Sequence, residues 1–553
     1  MRRRPCILAI VFIIGAASPS PAQQPLPDSM RLALNRVFAA WTATDGPGCA
    51  AGVSRGGRVT YENGFGMANL ETGTPITPAS VFHVASVSKQ FTAAAIMLLV
   101  ADGAVSLDDD IRKYLAEIPD YGHRITIRHL LTHTSGLRDQ WDLLYMARGR
   151  FEENRITESD VLEIAARQRA LNFTPGTEYL YSNTGYTLAG TIVRRVTGKS
   201  LREFAHERIF QPLGMSDTHF HDDYTMVVRG RAAGYARRNG EWHVSLPNYD
   251  TYGATSLFTT VGDLLKWQSN FSTPRVLGDA TLREMRASGT LTSGDTTAYG
   301  LGIATSLYRG ARLVGHGGAD AGYRTYLGEF PEHGLGVVVL CNAAQANPVG
   351  LARSVADVLL GASLAPEREP VRAAATPTAQ ELAGFAGVYV HPVTGAPSFV
   401  TLRGRTLVAG RTNGPELVPV GERRFRIAGQ PVELEFRTNG DVVQTVLGWP
   451  PRPSVTLERR DPARPTRVQL DRYAGTYYSE ELGATYTVSA RDSTLVLQTR
   501  WSREWTLTPA YGDTFIGNRQ VTFTRGRGGG GSIDGMLMSS GRVRGVRFVK
   551  TSR

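Results

Sequence analysis

Lysine is nearly missing from this chain. Of 61 basic residues only Lys89, Lys113, Lys199, Lys266 and Lys550 are lysine. Positive charge is therefore written almost throughout as guanidinium, which cannot release a proton at any pH a protein survives, whereas a desolvated ammonium can. A rare lysine beside a serine, as in "HVASVSKQF", points to deprotonation chemistry. Long apolar runs are also scarce. The longest lies in the first residues, where a basic start, roughly a dozen apolar residues and a small-residue "SPA" before Gln23 predict a secretory signal over 1–22. Pro19 and Pro21 interrupt it before it reaches the ~20 apolar residues of a membrane span. Three cysteines are present, and Cys6 lies within that leader, so the mature chain keeps Cys49 and Cys341. No basic module interleaved with aromatics is found, which argues against nucleic acid as a partner.

From 28 to about 360 the pattern mixes helices and strands. An amphipathic "DSMRLALNRVFAAW" leads into a hairpin turning at Gly56 and Gly57; helical stretches follow, and then late strands such as "GLGVVVLCNA". Strands at both ends with helices between predict one α/β or α+β unit over 23–362. An Ala- and Pro-rich linker at 363–379 separates it from all-β patterning. That patterning repeats: "LAGFAGVYVHPVTGA" from Leu382 resembles "LDRYAGTYYSEELGA" from Leu470, an offset of 88 residues. Two β modules, 380–461 and 462–553, are expected, with Tyr389 and Tyr477 in their cores and "GGGG" at 528–531 as a loop of the second. Most of the net charge of +11 falls in 401–553, a basic surface suited to anionic envelope polymers.

Ser86 and Lys89, spaced i, i+3 at the start of a helical run, project to one face. The helix N-terminus favours a developing alkoxide and a neutral lysine beside it. Farther on, Tyr181-Ser182-Asn183 sets a phenol, able to shuttle a proton, two residues from an amide, able to dock a carbonyl. His316-Gly317-Gly318 ends a strand, where glycines permit close backbone approach.

Together these three motifs resemble the serine β-lactamase and DD-peptidase superfamily, in its class C-like branch, which also holds esterases and D-amino-acid peptidases. "ITIRHLLTHTSGL" at 125–137, "PLGM" at 212–215 and "TTVGDLLKW" at 259–267 extend the likeness over about 30–360. The resemblance implies an antiparallel sheet flanked by helices, followed here by two small antiparallel barrels. It implies Ser86 as nucleophile, Lys89 and Tyr181 as the acid/base pair, and Asn183 as a substrate-binding residue. It also implies an oxyanion hole from the backbone N–H groups of Ser86 and Ala319, and Gln140 as a substrate contact. No cofactor or metal is implied. Cys49 and Cys341 would lie side by side in one sheet, where either a disulfide or two buried thiols fits.

The chain departs from the superfamily at its third motif, having His316-Gly317-Gly318 where β-lactamases have Lys-Thr-Gly. Without a fixed cation, a substrate carboxylate gains little. Amides and esters lacking one are then expected to be preferred, with an ionisation of His316 near neutral pH, unless a loop of the basic modules brings a charge to the cleft. "HFHDDY" at 219–224 imitates a metal motif but lacks further placed ligands. His129 and His133 read as structural partners near the site. The functional expectation is a secreted, periplasmic or envelope-associated serine hydrolase of small amides, D-residue peptides or esters. The alternatives are a DD-carboxypeptidase, a weak β-lactamase, or a receptor that acylates and scarcely turns over.

Overall fold

Gly56 and Gly57 both adopt positive φ, the requirement of a tight two-residue hairpin turn, and they join β1 (Cys49–Arg55) to β2 (Arg58–Phe65). The computed structural model describes residues 26–149, 155–366, 377–411, 413–446, 454–499, 504–526 and 531–552. The expected leader at 1–22, most of the expected linker and Gly528–Gly530 lie outside the described residues.

Before the hairpin runs α1 (Asp28–Val37). After it come α2 (Ser88–Ala101), α3 (Gln140–Arg148), α4 (Asn183–Thr197) and α5 (Val261–Ser269). Four strands follow, β3 (Ala304–Tyr308), β4 (Ala311–Asp320), β5 (Tyr323–Phe330) and β6 (Leu335–Cys341), then α6 (Pro348–Leu360). The sheet order is β3-β4-β5-β6-β1-β2, antiparallel throughout, so β6 returns to pair with β1 in the middle.

Both faces of that central pair are covered, which is why its strands read as nearly unbroken apolar runs. Ala50, Val338 and Leu340 face one core with α2 and α5, while Ala51, Val53, Val337 and Val339 face another with α1 and α6. Helix α2 is apolar on every side and almost wholly buried, as a central helix must be. Cys49 and Cys341 stand opposite each other in the β1/β6 register and are joined by a disulfide, the first of the two arrangements left open by the sequence.

The C-terminal part forms two eight-stranded antiparallel barrels. The first, between Gly387 and Arg460, is nearly closed, its ends meeting at a single bridge between Val408 and Glu416; the second, between Gly475 and Ser552, is closed. The 88-residue repeat is visible in detail. Thr378 and Thr466 each cap a short helix with a capping box, and Tyr389 and Tyr477 each donate from the core to a carbonyl four residues back, Phe385 O at 2.8 Å and Tyr473 O at 2.6 Å.

The second barrel shares a core with the N-terminal α/β unit. Leu143, Leu144 and Met146 of α3 pack with Leu470, Trp505 and Phe548, and the Tyr486 hydroxyl donates to Met146 O at 2.5 Å. Beside this core, Arg138 and Glu481 form an ion pair at 2.5 Å with side-chain exposures of 2% and 7%.

Candidate active site

Ser86 sits on a strained turn. Strand Phe82–His83 ends in a single 3₁₀ turn, Ala85–Val87, that runs into α2. Ala85 has φ of +49°, a left-handed conformation costing an alanine about 1 kcal/mol. Neighbouring bonds hold it there. Ser88 Oγ donates to Ala85 O at 2.5 Å and accepts from Leu257 N at 3.0 Å. The turn leaves Ser86 half-buried at the cleft wall, with Lys89 beneath it in the first turn of α2.

Lys89 has no exposed surface. Its Nζ lies 3.1 Å from Ser86 Oγ, 2.9 Å from Asn183 Oδ1 and 2.6 Å from Ala254 O. Burial drives its pKa down to about 7; the Asp139 charge opposes this, and the Arg542 charge adds to it. A neutral amine has two N–H bonds and one lone pair. Asn183 Oδ1 and Ala254 O can only accept, so they take the two hydrogens, and the lone pair is left facing the serine hydroxyl. This is the arrangement of a base about to receive the Ser86 proton.

Tyr181 completes the group. Its hydroxyl is hydrogen-bonded with Ser86, and burial holds the phenol well above its ordinary range, so it stays protonated. Lys89 Nζ lies 4.9 Å from the centre of its ring. His133 also packs against the ring, at 4.1 Å between centroids; it accepts from Ser182 N at 3.2 Å, and burial holds its pKa well below the usual imidazole value. It thus packs the phenol in place.

Asn183 opens α4, and its orientation is fixed by a buried residue that sequence reasoning passed over. Asp139 caps α3 by accepting from Trp141 N at 3.0 Å, and it also accepts from Asn183 N at 2.7 Å and Asn183 Nδ2 at 2.8 Å. With the amide nitrogen committed to Asp139, the amide oxygen must face Lys89. An Asp directly before a helix is an N-cap signal, and "GLRDQ" carried it.

Two expectations need correction. His316 is not poised to titrate near neutral pH. Burial, reinforced by the Lys89 charge, lowers its pKa to about 3. Its Nδ1 donates to Gly317 O at 2.6 Å and its Nε2 accepts from the Tyr299 hydroxyl at 2.8 Å, which defines a neutral ring. Gln140 is fully buried with neither amide atom paired among the described residues, and the cleft is lined by the adjacent Trp141 instead. Gly317, Gly318 and Ala319 all line the cleft, and Gly318 also packs the turn, where a Cβ would lie 2.3 Å from Val84 O and 2.2 Å from Thr325 Oγ1.

The cleft has a volume of about 780 Å³ and holds Ser86, Tyr181, Asn183 and His316. At its rim the Asp320 carboxylate accepts from His83, at 3.1 Å, from Thr255, at 2.9 Å, and from Tyr249. Burial alone would raise this carboxyl, but those bonds outweigh it and hold Asp320 below its usual value. Arg542, from the second barrel, also lines the cleft. The exception left open for the third motif, a charge brought by a loop of the basic modules, is the arrangement found, with Arg542 more than two hundred residues from His316 in sequence. At 219–224, His219 and His221 pair with each other at 3.4 Å, and among the described residues no group of three or more His, Cys, Asp or Glu side chains is placed to hold a metal ion.

A serine backed by a buried, deprotonable lysine and a protonated phenol, on an antiparallel sheet with helices on both faces, defines a serine hydrolase. The chain belongs to the Beta-lactamase family, whose model matches residues 34–362. It is similar to the D-aminopeptidase of Brucella anthropi, 29% identical over 448 residues, covering 79% of this chain and 80% of that protein. A D-aminopeptidase of Cereibacter sphaeroides is 28% identical over 457 residues, with 81% and 82% covered. Among solved structures, the octameric penicillin-binding protein homologue from Pyrococcus abyssi aligns with a TM-score of 0.54 at 26% identity, over 78% of this chain and 99% of that one. The D-amino acid amidase from Ochrobactrum anthropi SV3, complexed with L-phenylalanine, aligns with a TM-score of 0.51 at 25% identity, over 61% of this chain and 99% of that one.

Proposed function

We propose that this protein is an exported hydrolase of D-amino-acid amides and short D-residue peptides, working through an acyl-enzyme on Ser86. The observation that carries the mechanism is the contact of Ser86 Oγ with a lysine whose pKa is lowered to about 7. The substrate class is supported by relatives named D-aminopeptidase and D-amino acid amidase. Neutral Lys89 takes the Ser86 proton as Oγ attacks the substrate carbonyl. The oxyanion forms against the N–H groups of Ser86 and Ala319, a device typically worth about 3 kcal/mol per donor. Tyr181, bonded to Ser86 and close to Lys89, passes a proton to the leaving amine. Water then enters, loses a proton through the same pair, and releases the acid, restoring Ser86. Asn183 holds Lys89 and offers its amide edge to the substrate. Export rests on the leader at 1–22, and the basic 401–553 region suits contact with anionic envelope polymers.

The test is twofold. Ser86→Ala should abolish covalent labelling by a fluorophosphonate, and retained labelling would reject the nucleophile. The unmodified protein, profiled on matched D- and L-aminoacyl amides and short acyl esters, should turn over each D-amide faster than its L-counterpart. A burst on every substrate without steady turnover would instead identify a slow-deacylating receptor.

A further inference from the structure

The loop Ser540–Gly545 of the second barrel is built into the wall of the catalytic cleft. Val543 is buried in the core shared with α3. Arg544 donates to both carboxylate oxygens of Glu178, at 3.2 and 2.9 Å, and its N–H to Asn172 Oδ1 at 2.8 Å. Arg138 donates to the carbonyls of Arg544, at 3.1 and 2.8 Å, and of Gly545, at 3.2 Å. The backbone of Arg542 itself is held, its carbonyl accepting from Asn172 Nδ2 at 3.0 Å and Asp139 N at 3.3 Å.

Its side chain is held differently. The Arg542 guanidinium stacks over the Tyr181 ring at 4.8 Å, the phenol beside the nucleophile. A carboxylate oxygen of Asp139 lies 4.0 Å away, beyond hydrogen-bond reach, and that side chain is only 1% exposed and already accepts three N–H groups. The Arg542 side chain keeps 46% of its surface open. A guanidinium presents five donors in a fixed fork that matches a carboxylate, and among the described residues this fork has no carboxylate within hydrogen-bonding distance.

The rest of the lining points the same way. Arg238 and Arg324 stand around the same cleft, and among the described lining residues Asp320 is the only acid. Its Oδ2 alone accepts from His83, Thr255 and Tyr249, and the side chain keeps 20% of its surface open. A substrate ammonium would meet one carboxylate, already holding three donors on one oxygen, against three guanidinium groups. A substrate carboxylate would find an open fork next to the reacting serine, with apolar wall from Trp141, Leu246 and Val349 to take a side chain.

We infer that Arg542 is the specificity residue of the cleft and selects substrates that carry a carboxylate. This rests on the D-residue hydrolase reading above and narrows it to the anionic members of that class.

Two matched pairs test it. N-succinyl- and N-acetyl-D-phenylalanine p-nitroanilide place or omit the carboxylate on the acyl side. N-acetyl-D-phenylalanyl-D-alanine and its carboxamide do so on the leaving side. In at least one pair the carboxylate should raise kcat/KM by about tenfold or more, the scale of one charge-assisted contact. In Arg542→Gln the ratio within that pair should fall to within about twofold of unity, while Arg542→Lys should keep part of it. Using the ratio cancels any general loss of activity in the variants. Parent ratios near unity in both pairs, or a preference that survives Arg542→Gln, would overturn the inference. If no D-substrate is turned over while Ser86 still reacts with a fluorophosphonate, the D-residue reading fails and this one falls with it. Turnover without preference defeats this one alone.

Discussion

Lowering the pH from 8 to 5 should switch off acylation of Ser86 by protonating Lys89. With a pKa of about 7, half of the lysine is neutral at pH 7, about a tenth at pH 6 and about a hundredth at pH 5. The rate of Ser86 inactivation by a fluorophosphonate reads this without knowledge of the substrate. His316 is held near 3 and His133 well below its usual value, so neither supplies that limb. Two variants should move it in opposite directions. Asp139→Asn removes an anion that raises the Lys89 pKa and shifts the limb to lower pH; Arg542→Gln removes a cation that lowers it and shifts the limb upward. Lys89→Arg should lose at least about 100-fold in rate, because guanidinium cannot act as a base. Stability gives a second readout. The folded pKa lies below the unfolded value near 10.5, so between pH 7 and 10.5 the unfolded chain binds the extra proton and stability rises with pH. Relative to Lys89→Met, the gain across that window is up to about 5 kcal/mol. A limb above pH 9, an active Lys89→Arg enzyme, or a common direction of shift in the two charge variants would refute the assignment of Lys89 as the base.

Gly318→Ala should cost activity together with stability, since its Cβ meets the Val84 carbonyl at 2.3 Å and must displace the turn that carries Ser86. Overpacking of this kind costs about 1–3 kcal/mol, and an alanine variant with unchanged Tm and labelling rate would show that the turn is looser than described. Arg138→Ala should destabilise by about 3–5 kcal/mol, because it leaves Glu481 charged and buried without its partner. Denaturation followed by fluorescence and by residual labelling should shift together, and a change under about 1 kcal/mol would mean that the pair is solvated.

Much of the site could be read along the chain because its chemistry is local. Ser86 and Lys89 sit a helical turn apart, Tyr181 and Asn183 open another helix, and the scarcity of lysine marked the base. The barrels were readable from alternation, and their duplication from an offset of 88 residues that reappears as paired capping boxes. What escaped were residues whose role depends on three-dimensional company. The carbonyl of Ala254 carries no side-chain signature. The Asp320, His83, Thr255 and Tyr249 network joins three separate segments. His316 was misjudged since its charge depends on the Tyr299 hydroxyl and on burial. Arg542 was one arginine in a basic region until the fold brought its loop to Tyr181.

The duplicated barrels do not occupy equal positions. Among the described residues, the side-chain hydrogen bonds that leave the first barrel run to the second, between Arg411 and Pro509 O at 2.6 Å and from Tyr511 and Gln520 to Gly395 O at 2.6 and 3.2 Å. The copy that follows the catalytic unit in sequence is therefore bonded to its own duplicate, while the later copy carries the contacts with the nucleophile's surroundings. The two copies thus answer to different constraints. One must preserve barrel closure and a single docking face; the other must do so while keeping a loop in register with a reacting serine. Random substitution at equivalent barrel positions should accordingly be borne unevenly, and the first copy is the one with freedom to acquire a new surface.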